Sequence, residues 1–589
     1  MKPNTGSARV QESNHIDRQQ RNLLTTAILI CSLALYPLFF RLNMLGSNFA
    51  LFDITLMVTP YAWVYLFAVC ALLSLDVYVE RRCDLLHVLV AALLVSMLYT
   101  VSQYPAIVNI DTFLHGSSTN VVLTYRWGTY PQAYVYPTWF PGSFDLWAAL
   151  TLTSGLTVIN SGLVLIFAVL VSFVAILHLL GKKIIGDQWA GTAPILYLVA
   201  DAFHYRWSGR EHFSPETLGF LLFLMILYLF VISQSRGFDK TSRIKLKLLL
   251  TLAICTVIVS HPITAMFLWF ALIAILLIQK ITKAALGVDW VTISLLSTTW
   301  IGWWFLVAGS SFGQAFSVLL GSLESSLGNA KISTLVSVQD PLPLVGIILR
   351  QYYFKPLLVL VGASAVLAIL LNRKVKITLF FAGIALGTAA ASGLELLTPN
   401  TAYFAQLSEM LAFSLLPISY LAARLFMKNQ RAFKAIAILL PLLIFPSFLV
   451  MFTYSSEYTE ISHPWQVNSY QFLTRSGPSV MVGTEQCSIG LDTYSNYGYQ
   501  FFDVTYNPTE FSDLTMVNYT RWLPNHPTFF NDPVIFRSFE QDVTDNYITR
   551  AFQQRQQFWN QVDSNLTSDP VHDRIFDNSY AQLYVVPAC

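Results

Sequence analysis

The chain has 589 residues, of which 55% are hydrophobic and only 12% are charged. Soluble domains carry roughly 25% charged residues, so this composition excludes an ordinary soluble enzyme and indicates a polytopic α-helical membrane protein. The formal net charge of +2 favours neither an acidic partner nor nucleic acid, and we expect no nucleic-acid binding.

A polar cytoplasmic segment, residues 1–22, precedes about 13 apolar segments long enough to span a membrane as helices. The seventh and eighth spans are short and meet at residues 260–262, so a re-entrant pair is an alternative for them. A further segment, residues 144–156, is predicted as a half-helix in the interface. The predicted spans are 23–42, 52–76, 84–103, 157–180, 188–204, 216–234, 246–260, 262–280, 289–309, 354–371, 376–392, 404–424 and 432–453.

The basic residues predict the orientation, because cytoplasmic loops carry an excess of Lys and Arg. Basic loops alternate with loops poor in Lys and Arg, which places the N-terminus inside and the C-terminus outside a cell membrane crossed many times. The main exceptions are Arg206 and Arg210, which fall on the outer side and therefore invite a functional interpretation. The predicted outer segments are 109–145, 204–212, 310–350 and 454–589.

The chain divides into a membrane domain, residues 23–453, and a polar tail, residues 454–589. Strand-like patterns at 479–484 and 581–588 and a helical pattern at 545–562 predict that the tail is a small extracytoplasmic α/β or α+β domain. Cys487 and Cys589 are the only two cysteines predicted outside, where an oxidising environment permits a disulfide between them. Two unpaired thiols are the alternative.

The first outer segment contains the sequence "NIDTFLHG" at 109–116, in which Asp111 and His115 are four residues apart. If this stretch is helical, both side chains share one face. A carboxylate beside an imidazole can form a base and its orienting partner, or two ligands of a divalent metal. The structural alternative is that Asp111 caps a short helix while His115 packs on its neighbours.

The second outer segment, "HYRWSGREHFSPETLGF" at 204–220, concentrates charge just before a span. Arginine binds phosphate through its planar fork, so Arg206, Arg210 and the neighbouring His212 are candidate ligands for a lipid phosphate. The alternative is contact of the arginines with lipid headgroups. The sequence "SPE" at 214–216 predicts a helix N-cap, Pro at the first helical position and an acid in the first turn.

Aromatic residues crowd the segment 125–147, where they form either a routine interfacial belt or a platform for sugar rings. We treat Tyr136, Trp139 and the basic Arg126 as candidate substrate-binding residues. His261, which precedes Pro262 at an outer turn, is more often structural as a lone histidine.

The polar side chains singled out above all map to the outer end of predicted spans or to outer loops, while the spans themselves are nearly free of charge. A transporter should place some of them near the midplane, whereas an enzyme working at the outer leaflet gathers them at one face. The chain contains no Walker A sequence, no HExxH and no CxxC. These absences disfavour nucleotide-driven transport and zinc proteolysis.

In its layout, the sequence resembles the GT-C superfamily of membrane glycosyltransferases, which includes oligosaccharyltransferase catalytic subunits and protein O-mannosyltransferases. The run of Asp111, His115, Tyr136 and Pro137 looks like archaeal members, as does the stretch "HDRIFDNSYAQLYVV" at 572–586. Two features depart from the family pattern. The acid follows the third apparent span instead of the first, and the tail lacks the WWDxG signature that holds an acceptor sequon.

The resemblance implies a sugar donor linked to polyprenyl phosphate and a glycan or protein acceptor outside the cytoplasm. It implies that Asp111 is the general base, that His115 orients it or contacts the donor phosphate, and that Arg206 and Arg210 neutralise the leaving phosphate. It also admits a divalent cation, Mg²⁺ or Mn²⁺, as cofactor. The alternatives are a transporter or flippase for lipid-linked sugars and a non-catalytic envelope protein.

Overall fold

The computed structural model describes the helical part of the chain in seven long stretches. Short segments are described between them, at 27, 30–31, 34–35, 115–116, 118–120, 122–123 and 352–353, and in five strands of the tail. Every structural statement here concerns these residues. The long stretches are 60–95, 139–201, 213–234, 239–309, 355–396, 407–427 and 430–454.

The described part of the chain contains thirteen α-helices and one 3₁₀ turn, Asp187–Trp189. The helices are α1 (Pro60–Glu80), α2 (Leu85–Val95), α3 (Gly142–Ser154), α4 (Val158–Ile184), α5 (Thr192–Asp201), α6 (Pro215–Ser233), α7 (Lys240–Ser260), α8 (Pro262–Thr282), α9 (Trp290–Leu306), α10 (Lys355–Leu371), α11 (Lys376–Leu396), α12 (Leu407–Phe426) and α13 (Gln430–Tyr454).

Each predicted span from the second onward coincides with one of these helices, and α3 coincides with the predicted half-helix. Most of the first span, 23–42, lies outside the described residues. Among the described helices, five are long and apolar enough to cross a membrane: Tyr61–Glu80, Asn160–Ile184, Pro215–Ser233, Pro262–Thr282 and Lys376–Gly393. The chain is therefore mostly helical, with these candidate spans, while the total number of spans and their orientation stay predictions.

The helices at the seventh and eighth predicted spans are longer than expected. Helix α7 begins at Lys240 and α8 ends at Thr282, so each helix has 21 residues. Of these two helices, α8 is long and apolar enough to cross a membrane, whereas α7 begins with basic residues and is not among the candidate spans, so the re-entrant pair stays an alternative. The first turns of α7 are basic, so hydropathy did not identify them as part of the helix. Asp239 caps these turns by accepting from the Ser242 backbone N–H at 3.0 Å.

Close helix packing depends on small residues at the contacts. Helix α8 packs along α11, where Gly383 and Gly387 bring the two backbones together. This Gly-x-x-x-Gly spacing is a frequent device for close contact between helices in membranes. Helix α12 contacts α5, α10 and α11, and its Tyr420 hydroxyl donates to the Leu177 carbonyl at 2.6 Å. The core is therefore a set of interlocked helices.

Hydrogen bonds connect loops that are predicted to lie on the same side of the membrane. Hydrogen bonds join segments predicted to lie at the cytoplasmic end, among them Cys83 N to Gln188 O at 2.9 Å, Gln188 Nε2 to Arg81 O at 2.7 Å, Arg424 Nη1 to Ile184 O at 2.7 Å, and Gln234 Nε2 to Leu286 O at 2.8 Å. At the other end, Trp303 Nε1 of α9 donates to the Trp139 carbonyl at 2.8 Å. None of the hydrogen bonds named here joins a loop on the predicted cytoplasmic side to a loop on the predicted outer side.

The tail contains a five-stranded sheet of order β2-β1-β3-β5-β4. The strands are β1 (Val482–Thr484), β2 (Phe502–Asp503), β3 (Thr528–Asn531), β4 (Asp573–Asp577) and β5 (Gln582–Val585). Strand β1 pairs in parallel with β2 and β3, whereas β5 pairs antiparallel with β3 and β4. Strands β1 and β5 lie within the two segments predicted as strands. The helix predicted at 545–562 lies outside the described residues, and the domain boundary stays a prediction.

Candidate functional site

Two of the predicted site residues, His115 and Trp139, have described positions. The Trp139 carbonyl accepts the indole hydrogen bond of Trp303, so the backbone here is tied to the end of α9. The sugar-binding role of Trp139 stays a prediction. The others lie outside the described residues and keep their predicted roles: Asp111, Arg126, Tyr136, Arg206, Arg210, His212, Cys487 and Cys589.

The site is organised around the N-terminus of α6. Ser214 has extended backbone geometry and its hydroxyl accepts from the Thr217 backbone N–H at 3.2 Å, so it is the N-cap. Pro215 follows at the first helical position and Glu216 lies in the first turn. The predicted capping sequence is therefore confirmed. The partial positive charge of a helix N-terminus also stabilises a carboxylate at this position.

The Glu216 carboxylate lies between two histidines from distant parts of the chain. Its Oε1 is 3.6 Å from His261 Nε2, and its Oε2 is 3.9 Å from His115 Nε2. The exposed fractions of the side chains are 25% for Glu216, 13% for His115 and 3% for His261. The deepest member of this cluster is thus His261, while the carboxylate and the His115 ring retain access to solvent.

His261 is fixed by the turn between α7 and α8. Its backbone N–H donates to the Val257 carbonyl at 2.9 Å, and its Nδ1 is 2.9 Å from the Thr264 hydroxyl. Because Nε2 faces a carboxylate, the favourable tautomer carries its proton on Nε2, and Nδ1 then accepts from Thr264. Burial lowers the pKa of His261 against the opposing effect of Glu216, which keeps the ring in this neutral form.

A glycine on α6 allows α8 to approach this closely. A Cβ added at Gly219 would lie 2.6 Å from Thr264 Oγ1 and 2.9 Å from His261 Cβ. A similar close contact brings the start of α3 against the end of α7, where a Cβ at Gly142 would lie 2.5 Å from Ser260 Oγ. The cluster is therefore placed by close helix packing.

Aromatic rings line the cluster on the α3 side. The Phe144 ring lies 5.9 Å from the His115 ring, tilted by 40°. Phe213, just before the N-cap of α6, meets Trp147 edge-on at 5.6 Å. The Trp147 indole N–H donates to the Val158 carbonyl at 2.7 Å, which ties α3 to the start of α4. The Phe144 ring is thus the apolar neighbour of His115 on α3.

Sequence reasoning did not place Glu216 and His261 in one site. Each has a local explanation, a helix cap for Glu216 and a turn for His261, and those explanations are correct. Their encounter with each other and with His115 depends on tertiary packing. The sequence feature that could have connected Glu216, His261 and His115 is that all three map to the same predicted outer face.

The expected divalent cation finds no support among the described side chains. Within them, no group of three or more His, Cys, Asp or Glu residues is arranged to hold a metal ion. Asp111, which with His115 is the predicted pair of metal ligands, lies outside the described residues. A cation therefore stays a prediction, and we assign no step to it.

A second polar cluster is buried at the opposite end of the helices. His87 of α2 bridges two carboxylates, with Nε2 at 3.0 Å from Asp76 Oδ2 and Nδ1 at 2.9 Å from Asp84 Oδ1. Arg82 lies 3.3 Å from the second oxygen of Asp84. This cluster joins α1 to α2 next to the hydrogen bond between Cys83 and Gln188. Its structural explanation is that these ion pairs fix the turn between α1 and α2.

No protein-family profile matches the chain, and no curated protein matches it by sequence. Similar solved structures include the oligosaccharyltransferase of Archaeoglobus fulgidus, at 11% identity with 84% of this chain and 73% of that chain covered and a TM-score of 0.49. A complex of the same enzyme with zinc and sulfate gives 11% identity, coverages of 83% and 70%, and a TM-score of 0.48. ArnT from Cupriavidus metallidurans bound to undecaprenyl phosphate gives 10% identity, coverages of 90% and 99%, and a TM-score of 0.46.

These matches name proteins of the superfamily that the sequence resembles. Their identities and TM-scores are too low to support an argument about the site, the substrate or the metal, so we draw none from them.

Proposed function

We propose that this protein is a membrane glycosyltransferase that moves a sugar from a polyprenyl-phosphate-linked donor to a glycan or protein acceptor on the extracytoplasmic side. One observation carries the proposal: the His115–Glu216–His261 cluster at the end of the helices that the charge pattern predicts to face outward. Three separate parts of the chain contribute to it, and its carboxylate and one imidazole keep access to solvent. That is the environment in which an enzyme acting at the outer leaflet needs its polar groups.

Asp111 is the proposed general base. It precedes His115 by four residues, and the described positions from 115 to 123 are helical, with the Thr119 hydroxyl donating to the His115 carbonyl at 2.9 Å. If the helix extends back over Asp111, its carboxylate shares a face with His115. In the proposed reaction, the acceptor hydroxyl gives its proton to Asp111 while its oxygen attacks the anomeric carbon. The bond from that carbon to the phosphate oxygen breaks, and polyprenyl phosphate leaves.

Arg206 and Arg210 are proposed to neutralise the leaving phosphate. They lie in the segment that leads directly into the capped start of α6, which also carries Glu216. Charge that develops on a leaving group is stabilised most by donors fixed in place before the reaction.

The test is a transfer assay in membranes that contain the protein and a panel of labelled polyprenyl-phosphate sugars. The variants are Asp111→Asn and Arg210→Ala. The control is Asp289→Asn, because Asp289 is an exposed N-cap of α9 and Asn caps a helix as well as Asp does. We expect about a 100-fold or greater loss for Asp111→Asn, a loss for Arg210→Ala, and near-normal transfer for the control. Full activity of Asp111→Asn would rule out the assigned base, and movement of the intact lipid-linked sugar without transfer would favour a flippase.

A further inference from the structure

Two polar side chains, Thr264 and His261, lie in a row on one side of the Glu216 carboxylate. Thr264 Oγ1 meets His261 Nδ1 at 2.9 Å, and His261 Nε2 meets Glu216 Oε1 at 3.6 Å. If the Thr264 hydroxyl donates to Nδ1, the proton of the neutral ring is on Nε2 and faces the carboxylate. At these distances, which are longer than a hydrogen bond, Oε1 of Glu216 faces His261 of the α7–α8 turn, while the other oxygen, Oε2, lies 3.9 Å from His115 Nε2.

The three ionisable groups differ in burial. His261 is almost completely buried, with 3% of its side chain exposed, whereas Glu216 and His115 retain 25% and 13% exposed surface. The His115 ring is bounded by Glu216 on one side and by the Phe144 ring on another.

We infer that Glu216 is a positioning residue, which the His261–Thr264 pair fixes and which in turn orients His115 for sugar transfer. The inference deepens the proposed function and rests on it. A helix cap alone would not require the carboxylate to face two imidazoles, since Ser214 already caps α6. Supporting groups that lock the orientation of an acting side chain are a general requirement of active sites.

The test is a double-mutant cycle on sugar transfer with Glu216→Gln, His115→Asn and the double variant. Because Glu216 is inferred to act through His115, Glu216→Gln should lower kcat by about 10- to 100-fold in the wild-type background. The same substitution should lower kcat by less than about threefold when His115 is already Asn. Because positioning acts on the transition state, KM for the donor should change much less than kcat. A merely structural role would instead give losses that multiply, together with a lower unfolding midpoint.

A second pair of variants keeps the test valid if Glu216→Gln folds poorly. Thr264→Val removes the hydroxyl from His261 with little change in shape, whereas Thr264→Ser retains it. We expect Thr264→Ser to keep most of the transfer rate and Thr264→Val to lose about tenfold. Equal rates for the two Thr264 variants, or independent effects of Glu216 and His115, would overturn the inference while leaving the proposed function intact. No transfer by the wild-type protein with any polyprenyl-phosphate sugar would overturn both.

Discussion

Substitution of Gly387 by Ala tests the packing of α8 against α11. A Cβ at Gly387 would overlap the Phe270 carbonyl oxygen and lie 2.5 Å from Ala271 Cα. These are backbone atoms, which cannot rotate away as a flexible side chain can. Overpacking of this kind typically costs about 1–3 kcal/mol of unfolding free energy, against which the higher helix propensity of Ala returns up to about 1 kcal/mol.

The matched control is Gly362→Ala on α10, where an added Cβ meets nothing within 4 Å. Both variants share the propensity gain, so the difference in stability between them isolates the packing cost at about 1–3 kcal/mol. The assay is the thermal unfolding midpoint of each purified protein in the same detergent. We expect Gly362→Ala to unfold at or above the wild-type midpoint and Gly387→Ala clearly below it. Equal midpoints for the two variants would refute the close approach of α8 and α11.

Three further predictions concern the two polar clusters and a helix cap. Gly219→Ala should push α8 away from α6 and lower sugar transfer by about 10- to 100-fold, measured as kcat per folded molecule, because small displacements of reacting groups are costly. His87→Ala should leave Asp76 buried without its imidazole and lower the unfolding free energy by about 3–5 kcal/mol, with kcat per folded molecule unchanged. Asp289→Ala should lower the unfolding midpoint by the equivalent of about 1 kcal/mol while Asp289→Asn does not, since only Ala lacks a capping oxygen.

The helices could be predicted from the sequence because lipid solubility constrains composition directly. Helix α6, for example, begins at Pro215, one residue before the predicted span, since its cap and its apolar run coincide. Helix α7 was predicted too short because its first two turns are basic, and an argument from hydropathy does not identify basic turns as part of a span. There the informative signal was the capping residue Asp239.

The candidate site could be predicted only in part. His115 was identified because it stands beside a carboxylate in a polar outer loop. Glu216 and His261 each satisfy a local requirement of their own helix, so nothing in the neighbouring sequence reveals that they meet. Their pairing is a consequence of Gly219, which lets α8 approach α6, and that contact connects residues far apart in the chain.

The most direct test of the central claim is the release of polyprenyl phosphate by the purified protein in liposomes, measured together with the labelled glycosylated product. The account predicts that wild type and Asp289→Asn each release polyprenyl phosphate and form the glycosylated product in equal amounts when donor and acceptor are present. It predicts that Asp111→Asn forms neither above background. Equal product formation by Asp111→Asn, or no release by the wild type with any donor in the panel, would contradict it.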